Sequence, residues 1–381
     1  MNASRRVLVI NRHFWPTTND DTLRLFHWTQ HLSRQGAQVT VVTPRWHSSW
    51  PRRITCDAVQ VQRLDSPPTH SLRWGAYARQ LSQWLSQHLS NFDLVYCDRP
   101  DADAAAVVPL MPQVPTTPFV VRYDPLPHSG SPLRKAVDIC RRANKVLAST
   151  VVAEQQLLSA GIHRAAIQRL GQTAGICYDR NLESRRAARQ ILGDANHDLF
   201  ARSHDQVLVC PGELNSEWRI ADFIRELAPL IEEYRCLRVW ILGDSRERPA
   251  LYELLRHEGL HRLVAMPGIF TDLQEIFQAA DLCVFPAPGM GLGWLLPTCI
   301  ASSVPVLAAD CPDVRRMLGD QSEQLILRSD VVGDLRRQVA SWLHQPTRLA
   351  HSISQVRKST SFTGSSRLGC DELFQWMEAS A

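Results

Sequence analysis

Short apolar runs alternate with amphipathic stretches along almost the whole chain. VLVIN (7–11) and QVTVVTP (38–44) read as strands buried on both faces of a sheet. Between them Thr22 to Gln35 places Leu23, Leu25, Phe26, Trp28 and Leu32 at helical spacing, closed by Gly36. Strand, helix and strand recur through VQVQRL (59–64), Trp74 to Leu89, FDLVYC (92–97), Ala102 to Leu110 and PFVVRYD (118–124). Pro132 to Ala143, KVLAST (145–150) and VAEQQLLSAG (152–161) continue the series.

The period weakens after Gly171. It restarts with QVLVCPG (206–212), Ile220 to Tyr234, LRVWILGD (237–244), Pro249 to Glu258, RLVAMPG (262–268) and Leu273 to Ala279. DLCVFPA (281–287), Leu295 to Ala301, VPVLAA (304–309) and Val314 to Leu318 complete it. Such alternation predicts parallel sheets covered by helices, an α/β fold. The break divides the chain into a first Rossmann-like domain at 1–172, a linker at 173–204 and a second Rossmann-like domain at 205–361, with the expected site in the cleft that the two face.

With 381 residues, two cores are expected. No run of eighteen apolar residues and no signal-peptide core open the chain, so a cytoplasmic protein is expected. Ten cysteines lie singly, several in strand-like runs, which reads as reduced buried thiols. A net charge of +4 is too small to call for nucleic acid. Residues 44–84 interleave Arg45, Arg52, Arg53, Arg63, Arg73 and Arg79 with Trp46, Trp50, Trp74 and Trp84. That mix fits either a peripheral contact with an anionic inner membrane surface or a solvated face with its tryptophans turned inward.

Candidate chemistry gathers at the strand ends of the second domain. In FPAPGMGLGWLLPTCIASSVPVLA (285–308), Gly289, Gly291 and Gly293 let backbone approach an anion closely, and a helix beginning after Gly293 aims its unpaired N–H groups at the same point. This loop also suits a tight strand-to-helix turn, so its wider setting decides.

That setting resembles the C-terminal domain of glycosyltransferase family 4, the retaining GT-B enzymes. The resemblance runs from LRVWILGD through a strand ending MPG to DLQEIFQAADLCVFPAPGMGLGWLLPTCIASSVPVLAAD. RVLVINRHFWP and QGAQVTVVT resemble the family's opening strand and its Gly-His-x-Val-x-Val-x-Thr segment. SFTGSSRLGCDELFQWM resembles its C-terminal helix, placed at 365–381 and completing the first domain. The resemblance implies a GT-B fold and a sugar transfer with retention from a nucleotide-diphosphate sugar, without metal or other cofactor, to a glycan or lipid-linked acceptor.

It also implies a donor site at Gly212, Arg219, Gly243, Met290, Gly291, Leu292, Gly293 and Thr298. Several family residues are replaced there: Met290 and Thr298 stand at its two glutamates, and Glu213 and Trp218 at its arginine and lysine. Arg219 is the nearest substitute cation. In the first domain Asn19-Asp20-Asp21 replaces a glycine-rich turn, putting carboxylates where a donor phosphate would approach. Asp98 takes the place of a histidine, as a catalytic carboxylate or as the partner of Arg99 or Arg122. A GT-B scaffold that has lost turnover and serves as a binding or regulatory partner is the alternative. Asp101-Ala-Asp103 and the His27/His31 pair imitate metal sites, but the first opens a helix and the second lacks a third ligand, so no metal is expected.

Overall fold

The computed structural model describes residues 5–17, 19–69, 71–125, 131–170, 176–270, 272–328 and 330–359. The expected C-terminal helix at 365–381 lies outside them. Among the described residues, 5–17 and 25–170 form one compact unit, and 19–24 with 176–359 form a second.

The first unit is built on eight strands: β1 (Arg6–Ile10), β2 (Gln38–Pro44), β3 (Arg53–Cys56), β4 (Val59–Leu64), β5 (Leu94–Cys97), β6 (Phe119–Tyr123), β7 (Lys145–Ala148) and β8 (Ile167–Arg169). Their order is β3-β4-β2-β1-β5-β6-β7-β8, parallel except for β3 against β4. Because side chains alternate across a strand, each apolar run feeds two cores. Leu8, Ile10, Val95 and Val121 pack with Tyr77, Leu81 and Leu85 of the helix Ser71–His88. Val7, Val9, Val41 and Tyr96 pack on the other face with Leu25, Trp28 and Leu32 of the helix Asp20–Arg34. The β3–β4 hairpin turns at Asp57 and Ala58, both at positive φ. Neither residue is glycine or asparagine, so the usual hairpin signal is missing from the sequence.

The second unit holds β9 (Gln206–Cys210), β10 (Leu237–Leu242), β11 (Val264–Gly268), β12 (Leu282–Phe285), β13 (Val306–Ala309) and β14 (Ile326–Leu327), ordered β11-β10-β9-β12-β13-β14. This is a doubly wound sheet whose order reverses beside β9, where β10 lies on one side and β12 on the other.

Residues 176–204, expected within a linker, instead belong to this unit. The helix Leu182–Ala195 is capped by Asn181, which accepts from Glu183 and Ser184. From it Arg189, only 5% exposed, donates to the carbonyls of Arg202 and Asp205 at 2.8 and 3.0 Å and to Asp281 Oδ2 at 2.6 Å. The polar composition that suggested a linker is a helix held by buried guanidinium bonds rather than by a broad apolar face.

Candidate functional site

Neighbouring strands β10, β9 and β12 deliver three glycine-bearing loops to one end of the second sheet. At Gly212, just past β9, an added Cβ would fall 2.2 Å from the Trp218 ring. Trp218 is buried and packs toward Phe285 at 6.5 Å between ring centroids. Gly243, just past β10, has φ +102°, and its Cβ would lie 2.1 Å from the Gly212 carbonyl oxygen. Gly291, past β12, sits over the Phe285 ring, which its Cβ would meet at 2.4 Å. Gly212, Gly243 and Gly291 are thus brought together, and their missing side chains are used for packing of chain on chain. Ser245 Oγ donates to the Leu214 carbonyl and Ser216 N to Glu247 Oε1, lacing the first two loops together.

The bend before the helix Leu295–Ala301 binds an anion, and that anion is a side chain. Gly293 N donates to Asp20 Oδ2, and Trp294 N and Leu295 N donate to Asp20 Oδ1, each at 2.8 Å. Residue 20 groups with the second unit, as do the three donors. Asp20 is available because Asn19 caps its own helix: Asn19 Oδ1 accepts from Thr22 N and Asn19 N donates to Thr22 Oγ1, both at 2.8 Å. A hydrogen bond to a charged group contributes about 1.5–3 kcal/mol net. Burial, with Asp21 beside it, raises the Asp20 carboxyl to about 6, while the three amides pull the other way. A Cβ at Gly293 would stand 2.8 Å from Asp20 Oδ2, so a side chain there would displace the carboxylate.

The remaining expected donor residues lie near this bend in sequence but are differently employed. Arg219, at φ +55°, starts the helix Ile220–Glu233 and turns its guanidinium onto Asp222 Oδ2 at 3.3 Å. Both side chains of this pair are exposed. Thr298 is fully buried, and its hydroxyl has no hydrogen-bond partner among the described residues. Met290 and Leu292 are half-buried, and Trp294 is buried.

In the first unit Asp98 follows β5 and is fully buried. Tyr96 donates to its Oδ1 at 2.7 Å, and Arg122 lies 3.7 Å from its Oδ2 while bonding Asp124 at 2.7 Å. The pairing with Arg122 is therefore present, and it lies inside the unit. Asp101 caps the helix Ala102–Val107 by accepting from Asp103 N and also binds Arg12 at 2.6 Å. Among the described residues no cluster of three metal-ligating side chains occurs.

The arginine and tryptophan mix of 44–84 is largely consumed within the fold. Trp46 stacks on His13 at 5.0 Å, Arg12 lies over Trp74 at 4.0 Å, Trp84 stacks on His88, and Arg45 and Arg52 both pair with Asp65. Arg63 is buried, donating to the carbonyls of Pro51 and Trp15. Burial first, then Arg12 and Arg99, lowers His13 to about 4. Its ring should therefore stay neutral at pH 5.5, and an NMR titration of its Cε1–H should show a midpoint near 4. A group so lowered favours the fold above about 6.5 and loses that contribution as pH falls toward 4. A midpoint near 6.5 would mean that the ring has left Trp46.

Two family models divide the chain between them: the glycosyl transferase 4-like domain matches residues 23–171 and glycosyl transferases group 1 matches residues 205–345. The chain belongs to the GT4-type, GT-B glycosyltransferases. EpsD of Bacillus subtilis, assigned by name as a glycosyltransferase, is 24% identical over 172 residues, 45% of either chain, so the match spans about half the length of that relative. Sucrose-phosphate synthase from Thermosynechococcus elongatus superposes with a TM-score of 0.77 at 14% identity, covering 99% of this chain and 100% of the other. Anabaena HepE, solved with UDP and glucose, gives 0.74 at 17% identity over 98% and 100%. At those identities the structures speak for the fold, and it is the one that the alternating pattern and the family motifs lead one to expect. No described helix is long and apolar enough to cross a membrane.

Proposed function

We propose that this GT-B chain transfers a sugar, with retention, from a nucleoside-diphosphate sugar to a glycan or lipid-linked saccharide acceptor. The observation that carries the reading is the bend at 293–295, where three backbone amides converge on two oxygens of one carboxylate. A diphosphate presents the same kind of oxygens, and preorganised N–H donors at a helix start stabilise the charge that builds on a leaving group without a metal ion. That relatives of this fold have been solved with UDP and with UDP-glucose supports a nucleotide-linked donor.

Asp98, held by Tyr96 and facing Arg122, is read as a member of an internal network that shapes the end of β5. Of the 44–84 segment, Trp46, Trp74 and Trp84 stack on His13, Arg12 and His88, and Arg63 is buried, while Arg52, Arg53 and Arg79 are exposed. Two features favour the second reading, a binding scaffold without turnover: Asp20 already fills the amides, and Trp218 stands in the place of the family's lysine. The two readings part on nucleotide binding. UDP, GDP or ADP at millimolar concentration should raise the melting temperature, because a ligand that binds only the native state stabilises it. If none of the three moves the transition, either in wild type or in a variant without the Asp20 carboxylate, the donor reading is lost.

A further inference from the structure

We propose that Asp20 is a built-in competitor of the donor: its carboxylate holds the amides of Gly293, Trp294 and Leu295 closed, and a diphosphate gains them only when Asp20 withdraws. The inference rests on the donor reading above and adds a regulatory state to it. Each of the three N–H groups spends its hydrogen on Asp20 at 2.8 Å. A second anion at the same amides would find no free donor and a like charge beside it.

Two further observations separate this contact from an ordinary helix cap. First, the carboxylate arrives from a segment 273 residues away whose own helix start is already served by Asn19. Second, one turn along the helix that it holds, Thr298 Oγ1 is fully buried with no partner among the described residues. That hydroxyl has its hydrogen-bonding capacity unspent while Asp20 is seated. Gly293 permits the close approach, since any Cβ there would crowd the Asp20 oxygens. The arrangement is therefore an anion receptor loaded with an internal anion, and the apparent affinity for an external one is reduced to the fraction of molecules in which Asp20 is away.

The experiment is calorimetric titration of UDP, and separately of inorganic pyrophosphate, into the full chain carrying Asp20→Ala, Asp20→Asn or Asp21→Ala. Asp20→Ala should tighten both ligands at least tenfold, and Asp20→Asn less, since its single amide oxygen still competes for the donors. Asp21→Ala removes a neighbouring charge outside the three bonds and should change affinity less than threefold. Should Asp20→Ala not fold, Asp20→Asn must still bind more tightly than wild type. Equal affinities in wild type and both Asp20 variants overturn the competitor while leaving the donor reading intact. An equal gain from Asp21→Ala also overturns it, by reducing the effect to net charge. If neither wild type nor any variant takes up UDP or pyrophosphate, both ideas fall together.

Discussion

Gly243→Ala should lower the melting temperature of the second unit by about 10 °C or more, the largest loss expected from adding one carbon. Two costs combine at this position. The backbone at φ +102° lies where side-chain-bearing residues are strained by about 1–3 kcal/mol. The new Cβ would also stand 2.1 Å from the Gly212 carbonyl oxygen and 3.0 Å from Glu213 Cα, both backbone atoms. Relief by a shift of residue 212 is blocked, because that residue already lies against the Trp218 ring with no room for a Cβ of its own. Overpacking of this kind costs about 1–3 kcal/mol more, a large share of a marginal total. Thermal unfolding followed by tryptophan fluorescence measures it. A variant melting within about 2 °C of wild type would show that loops 212–218 and 243–247 are not packed as described.

Asp281→Ala should cost about 3–5 kcal/mol by a different route, the stranding of buried charge. Asp281 is 8% exposed; Arg189 and Arg185 reach its two oxygens at 2.6 and 2.7 Å, and Val207 N donates to it at 2.8 Å. Burial already lowers the Arg189 pKa, and Asp281 is the charge opposing that shift. Removing the carboxylate leaves guanidinium groups buried beside one another, and water has to enter or the helix Leu182–Ala195 has to lift. Replacing both members, as in Arg189→Met with Asp281→Leu, should recover part of the loss, since a missing pair costs less than half of one. Additive losses in that double variant would mean that the two residues do not share an environment.

These two positions also show what was legible in the sequence. Strands with continuous apolar runs, such as VLVIN and QVLVC, announced a parallel sheet because burial on both faces leaves no polar alternation to misread. The helix Leu182–Ala195 was hidden for the opposite reason: its hold on the sheet is Arg189 and Arg185 on Asp281, and arginines in sequence look like solvent. At the candidate site the glycines were visible as places of close approach, but not what approaches them. Trp218 beneath Gly212 and Phe285 beneath Gly291 are tertiary facts. Asp20 was noticed as a carboxylate in a turn where an anion would come. That it would itself be the anion depends on a fold that closes 273 residues of chain, and no local spacing encodes that. At Asp98 a carboxylate at a strand end suits catalysis and an internal ion pair equally well, and local sequence does not show that Tyr96 and Arg122 stand around it.

On the proposed reading the amides of residues 293–295 seat a nucleoside diphosphate. A crystal structure of the full chain grown with UDP tests it most directly. The expected result is diphosphate oxygens within hydrogen-bond reach of Gly293, Trp294 and Leu295, with the Asp20 carboxylate moved off them. UDP bound elsewhere while Asp20 still accepts from all three amides would contradict the account.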